Sequence, residues 1–169
     1  YKLGRLFRPV EKCLVRPVFS LREMETEPKL QDYIFDWITK RKNRKEFILW
    51  ANAWQLKIFN NKDLYGLDMC INAASQLKEN GIPINFVFNV ASLKGAEGLF
   101  LKYKSMIEKL GLTGRFLLLN EDLSFVKLIE QADLVLRPTN TDGEALTVRE
   151  ALCLGKPIID RKSGVLGKR

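Results

Sequence analysis

From residue 29 onward the hydrophobic positions fall into two alternating patterns. Leu30, Tyr33, Ile34, Trp37 and Ile38 recur at helical spacing and run into a basic cluster at 40–45, which suits the negative end of a helix dipole. Phe47-Ile48-Leu49-Trp50-Ala51 is a short continuous apolar run, the pattern of a strand buried on both faces. Residues 52–63 read as a polar loop, and 64–79 as a helix stopped by Asn80-Gly81. A strand at 84–90, a helix at 98–110 with Gly111 as its C-cap and a strand at 116–119 follow. The remainder reads as a helix at 124–132 opened by the capping residues 122–124, a strand at 134–137, a helix at 145–154 closed by Gly155, and a strand at 157–160.

Strands alternating with helices imply a parallel sheet with right-handed crossovers and helices on both faces, a doubly wound, three-layer α/β/α fold. Ligands on such sheets bind at the carboxyl ends of the strands. The loops at 52–63, 91–95, 120–123 and 138–144 therefore face one crevice. Residues 1–28, rich in Arg, Lys and Pro, form a basic arm or linker with a short strand at 13–19, and residues 161–169 trail off the sheet.

A chain of 169 residues, 46% hydrophobic, can bury the core of one such domain, assigned to residues 29–169. It begins without methionine, and a further strand and helices would normally follow, so it reads as a piece of a larger protein. No apolar run approaches the ~18 residues of a membrane span. Cys13, Cys70 and Cys153 form no metal or disulfide pattern and fit a reducing cytosol. With no histidine, catalysis by Ser-His or Cys-His pairs is excluded, leaving carboxylates, cations and backbone dipoles. The net charge of +8 favours anionic partners.

The chemistry concentrates in RPTNTDGEALTVREALCLGKP, residues 137–157, where a strand passes through a polar turn into a short helix. Helix N-termini carry unpaired N–H groups and about half a positive charge, so this turn can hold a phosphate. Asp142 and Glu150 bracket it. Thr141 and Glu144 match a capping box, so Glu144 also has a purely structural reading, and Asp142-Gly143 has one as an ordinary turn. Glu150 lies near the apolar face of its helix and needs a partner: sugar hydroxyls, or the cations Arg149 or Lys156. Lys57 and Lys62, in the first strand-to-helix loop, can reach a diphosphate or simply be solvated.

On these residues the chain resembles the C-terminal, nucleotide-sugar-binding domain of retaining GT-B glycosyltransferases of family 4, the glycosyl transferases group 1 type. The resemblance is strongest at Ala132-Asp133-Leu134-Val135-Leu136-Arg137-Pro138-Thr139, the following acid-Gly and Glu-Ala pairs and Gly155-Lys156-Pro157, and extends more weakly back to Phe47. The family's E-x7-E motif falls as D-x7-E, with Asp142 toward the donor sugar and Glu150 toward the ribose. Main-chain groups of Gly143, Glu144, Ala145, Leu146 and Thr147 would bind sugar and diphosphate, with Thr139, Asn120 and Leu123 at the edges of the nucleotide site. Ala53 stands where the family carries Arg, Tyr65-Gly66 where it carries Lys-Gly, and Asn89-Val90-Ala91-Ser92 where a glycine pair is common.

The resemblance implies transfer of a sugar from a nucleoside diphosphate sugar to a glycan or lipid-linked acceptor in polysaccharide or glycoconjugate biosynthesis, without an obligatory metal or cofactor. The acceptor half would lie in a missing N-terminal domain, leaving the isolated domain inactive. It also implies a cytoplasmic enzyme, with room for peripheral membrane association of the full-length protein. Two rival readings remain: a degenerate member acting as an interaction scaffold, motivated by the missing Arg and Lys-Gly, and a basic nucleic-acid-binding module, suggested by the charge with Trp50 and Trp54. The scattered cations and lack of an RNA-binding motif weigh against nucleic acid.

Overall fold

The computed structural model describes residues 29–140, 146–161 and 164–166. Among the described residues thirteen elements follow one another: α1 (Asp32–Asn43), β1 (Phe47–Gln55), β2 (Ile58–Phe59), β3 (Lys62–Asp63), α2 (Leu67–Glu79), β4 (Ile84–Ser92), α3 (Glu97–Lys109), β5 (Phe116–Leu119), α4 (Phe125–Gln131), β6 (Leu134–Arg137), α5 (Leu146–Cys153), β7 (Ile158–Asp160) and β8 (Gly164–Leu166). The main sheet runs β5-β4-β1-β6-β7-β8. Its first five strands are parallel, and β8 is antiparallel to β7. The expected doubly wound α/β fold is what the chain forms.

β1 is the centre of this arrangement, and its side chains alternate between two cores. Leu49, Ala51 and Ala53 pack with Cys70, Ile71 and Ala74 of α2 and Tyr103 and Ile107 of α3. Ile48 and Trp50 pack with Ile34 and Ile38 of α1, Leu128 and Ile129 of α4, and Ala151 of α5. Burial on both faces explains why the run 47–51 carries no polar alternation. Aromatic contacts reinforce each layer: Phe86 stacks on Phe116 with centroids 5.5 Å apart, and Trp50 lies 5.8 Å from Phe125.

The chain lays β4 and β5 on one side of β1 and then crosses back to place β6 and β7 on the other. That reversal makes a switch point between β1 and β6, where the two crossover directions diverge and leave a crevice at the strand ends.

Beyond shifts of a few residues at element ends, the structure departs from the sequence reading in three regions. β1 and β4 run to Gln55 and Ser92, because the ladder continues through Asn52↔Asn89, Ala53↔Val90 and Gln55↔Ser92. Backbone pairing at the centre of a sheet carries polar residues that hydrophobic patterning reads as loop. Residues 58–63 form an antiparallel hairpin, with Asn60 and Asn61 at φ of 48° and 58° supplying the left-handed turn that a two-residue hairpin loop needs. Residues 164–166 do not trail off; β8 closes the edge against β7.

The β6–β7 pair carries a buried ion pair. Arg137 Nη1 donates to Asp160 Oδ1 at 2.8 Å, with side chains 6% and 4% exposed. Asp160→Ala should destabilise the chain by about 3–5 kcal/mol in urea unfolding, because the guanidinium stays buried without that counter-charge; replacing both residues by Met should recover most of the loss.

Candidate functional site

The crevice is bounded by the carboxyl ends of β1 and β6, which a set of loop-to-loop contacts fastens together. At its centre is Asp63, 1% exposed, a residue the sequence reading assigned only to a polar loop. Its Oδ1 accepts the N–H groups of Tyr65 and Gly66 at 2.8 and 2.9 Å, and its Oδ2 accepts the Tyr103 hydroxyl at 2.7 Å. Its carbonyl accepts Asn140 Nδ2, and Asn140 N–H donates to Leu64 O at 2.9 Å. Asp63 followed three residues later by Gly66 is an Asx-turn signal, the clue available in the sequence. Burial, the hydrogen bond to Asp63 and that carboxylate's charge together push the Tyr103 hydroxyl well above the ordinary tyrosine range.

Gly66 closes the same contact from the other direction. Its φ is +72°, and a Cβ built there would lie 2.8 Å from Pro138 side-chain and carbonyl atoms. The backbone of the β1–α2 connection thus rests directly on the end of β6, an approach only glycine permits. The Gly of Tyr65-Gly66 therefore has a local packing role.

The β5–α4 loop is fixed by side chains that continue the strand pairing. Asn89, fully buried, donates through Nδ2 to Glu121 O and accepts Glu121 N–H at Oδ1, both at 3.2 Å. Asn120 Nδ2 donates to Val90 O at 2.8 Å, and Leu123 packs against the α1–α4–α5 core. The Glu121 carboxylate accepts Gln31 Nε2 at 3.1 Å and the Tyr33 hydroxyl at 3.0 Å, tying the first helix to this loop. Ser124 caps α4 by accepting Lys127 N–H at 3.2 Å, as its position implied.

Of the expected site residues, Thr139 is buried, Leu146 exposed and Thr147 half-buried. Thr147 Oγ1 reaches Asn52 Oδ1 at 3.5 Å, spanning the switch point from the first turn of α5 to β1. Glu150 is only 8% exposed on α5 beside the fully buried Ala151, which agrees with its placement near the apolar face. Lys156, one of its suggested partners, donates to Ala132 O at 2.9 Å. Asn120 lies exposed at the rim. Lys57 and Lys62 are both exposed; the Phe59↔Lys62 pairing puts Lys62 on the hairpin face opposite Asp63, since directly paired residues share a face. Asp142, Gly143, Glu144 and Ala145, with the Thr141 capping partner, lie outside the described residues. Ala53, at the place of the family arginine, is wholly buried in the α2–α3 core.

Among the described residues no group of three or more Cys, Asp and Glu is placed to hold a metal ion, and no helix is long and apolar enough to cross a membrane. The arrangement combines a buried carboxylate with a helix that begins beside two strand ends. A buried carboxylate such as Glu150 can accept the hydroxyl groups of a ligand.

Comparison with known proteins accords with this fold. The family model described as glycosyl transferases group 1 matches residues 58–167. Among solved structures, HepE of Anabaena, determined with UDP and glucose, is 21% identical, with 80% of this chain and 35% of that one covered at a TM-score of 0.53. A glycosyltransferase of Rickettsia africae is 13% identical, with 82% and 35% covered at a TM-score of 0.60. The C-terminal domain of the group 1 family protein LpcC of Francisella tularensis is 13% identical, with 86% and 72% covered at a TM-score of 0.58. Identities this low speak for the shared fold alone. The chain spans about a third of the length of the Anabaena and Rickettsia proteins. No curated protein matches the sequence.

The Tyr33–Glu121 contact makes a pH-dependent prediction. Burial, followed by the hydrogen bond and the carboxylate charge, pushes the Tyr33 hydroxyl up from 10.0 to about 12. A folded-state value above the unfolded one means the contact stabilises fully below pH 10 and its contribution is lost as pH rises towards 12. Thermal melts across that range should therefore show the wild type converging on Tyr33→Phe.

Proposed function

The chain belongs to the glycosyl transferases group 1 family, and on that premise we propose that it is the donor-binding, C-terminal domain of a retaining family 4 glycosyltransferase. It would bind a nucleoside diphosphate sugar and serve transfer to a hydroxyl of a glycan or lipid-linked acceptor. The observation that carries this reading is Glu150, a carboxylate buried on α5, the helix whose first turn reaches β1 through Thr147 and Asn52. A carboxylate so desolvated is suited to paired hydroxyls such as those of a ribose.

Each part of the crevice then has a task. Main-chain N–H groups at 143–147 would bind the diphosphate and stabilise the charge that develops as the bond from the anomeric carbon to the phosphate oxygen breaks. Lys57 adds a positive charge from the β1 side. Asp142 orients the sugar hydroxyls, Glu150 holds the ribose, Thr139 lines the pocket floor, and Asn120 to Leu123 edge the base. The acceptor hydroxyl forms the new bond to the anomeric carbon and gives up its proton. Groups handling that proton would come from a further domain, so this chain alone binds donor weakly and turns over little. The setting is the cytosol, in polysaccharide or glycoconjugate assembly.

Ala53, wholly buried where the family carries Arg, favours a second reading as a scaffold that has lost donor chemistry. Ligand-observed NMR with UDP-, GDP- and ADP-sugars separates the two. We expect one of the three to bind wild type, with affinity at least tenfold weaker in Glu150→Ala, the scale of a lost charged hydrogen bond, and with thermal melts confirming that the variant folds. Failure of all three to bind would favour the scaffold.

A further inference from the structure

Three residues on one face of β1 climb out of the core in even steps. Trp50 is buried and lies 5.8 Å from Phe125, in the first turn of α4. Asn52 is half-buried and meets Thr147 of the first turn of α5. Trp54 comes next on that face, about 7 Å further along the strand. It stands beyond the level at which both helices begin, and for that reason it is 68% exposed on an otherwise largely buried strand.

The backbone beneath the indole is fixed on both sides. The β1–β4 ladder runs through Ala53↔Val90 and Gln55↔Ser92, and Gln55 Nε2 donates to Lys94 O. That register sets Ala91 beside Trp54, so the neighbouring strand offers only a methyl group against the ring. Carrying the Asn89↔Leu119 pairing two residues on brings Glu121 level with Ala91. Trp54 and Glu121 therefore stand two strand spacings apart, about 10 Å, with Ala91 between them. The result is a slot with an indole for one wall, a methyl floor and the β5–α4 loop for the other wall. The loop is held as firmly as the strand: Asn89 bonds the Glu121 N–H and carbonyl, and the Glu121 carboxylate accepts Gln31 Nε2 and the Tyr33 hydroxyl.

The walls select for chemistry. An indole presents a flat π-face, and the carboxylate opposite repels an anion, so the slot suits an uncharged planar ring better than a phosphate. We propose that Trp54 stacks on the base of a bound nucleotide, which enters the slot over Ala91. This rests on the donor reading, in which residues 120–123 edge the base, and adds to it a contact from β1 on the opposite side. Stacking on an aromatic face tolerates any base, so Trp54 contributes affinity and leaves the choice of base to polar groups elsewhere.

Titration of the chain with UDP, GDP and ADP, and with inorganic pyrophosphate as the control without a base, tests this. Trp54 is the most exposed of the three tryptophans, so a nucleotide that binds should quench tryptophan emission, and pyrophosphate should not. Trp54→Ala should bind that nucleotide about tenfold more weakly, the scale of one lost base stack, with the affinity for pyrophosphate and the melting temperature unchanged. Trp54→Phe should keep most of the affinity and lose the quenching. A nucleotide that binds wild type and Trp54→Ala within about twofold, far less than a stack contributes, would overturn the inference and leave the donor reading standing. Equal weakening of pyrophosphate would assign Trp54 to the phosphates and overturn it as well. If none of the three nucleotides binds the wild type, both readings fall.

Discussion

The structure depends on β1 being buried on both faces. A strand that must hide Ile48 and Trp50 on one side and Leu49, Ala51 and Ala53 on the other requires helices above and below it and strands on both flanks. The chain meets that requirement by building outward through β4 and β5 and then returning past β1 to β6. The crevice is a by-product of the return. Where the two crossovers part, a crevice opens at the strand ends, and the loops there can carry chemistry.

Freedom of this kind would leave a loose site if the loops were held only by their own strands. Asp63 prevents that. One carboxylate satisfies two backbone N–H groups and a tyrosine hydroxyl, while Asn140 reaches its carbonyl from across the crevice. The contact of Gly66 with Pro138 sets the separation of the two sides. Asn89 does the equivalent for the β5–α4 loop by imitating a strand neighbour with its side-chain amide. Buried polar groups that are this well satisfied fix one arrangement among several of similar packing.

The legible part of the fold was the part dictated by burial. The strands at 116–119 and 134–137 are observed at the limits their apolar runs imply. The central helices stray by a few residues: α2 begins at Leu67, since residues 63–66 are drawn into the turn that Asp63 caps. What escaped was structure carried by backbone pairing. Two-residue strands such as β2 and β3 are too short to show any period, and β8 pairs at an edge where side chains need no pattern. The burial of Glu150 was legible because a carboxylate on an apolar helix face stands out. That of Asp63 was not, because an acid in a polar stretch looks solvated until the fold closes over it. The acid-Gly turn at 142–143 is known by its sequence alone, lying outside the described residues.

The anchoring of the hairpin has an evolutionary consequence. Leu56 and Asp63 pin its two ends, so residues 58–62 form a cassette whose composition can change without shifting the crevice. Substitution at the tip can retune what the outer surface meets while the inner carboxylate and the α5 terminus stay in place. Within one scaffold, the outer surface of the hairpin and the polar framework of the crevice can therefore diversify separately.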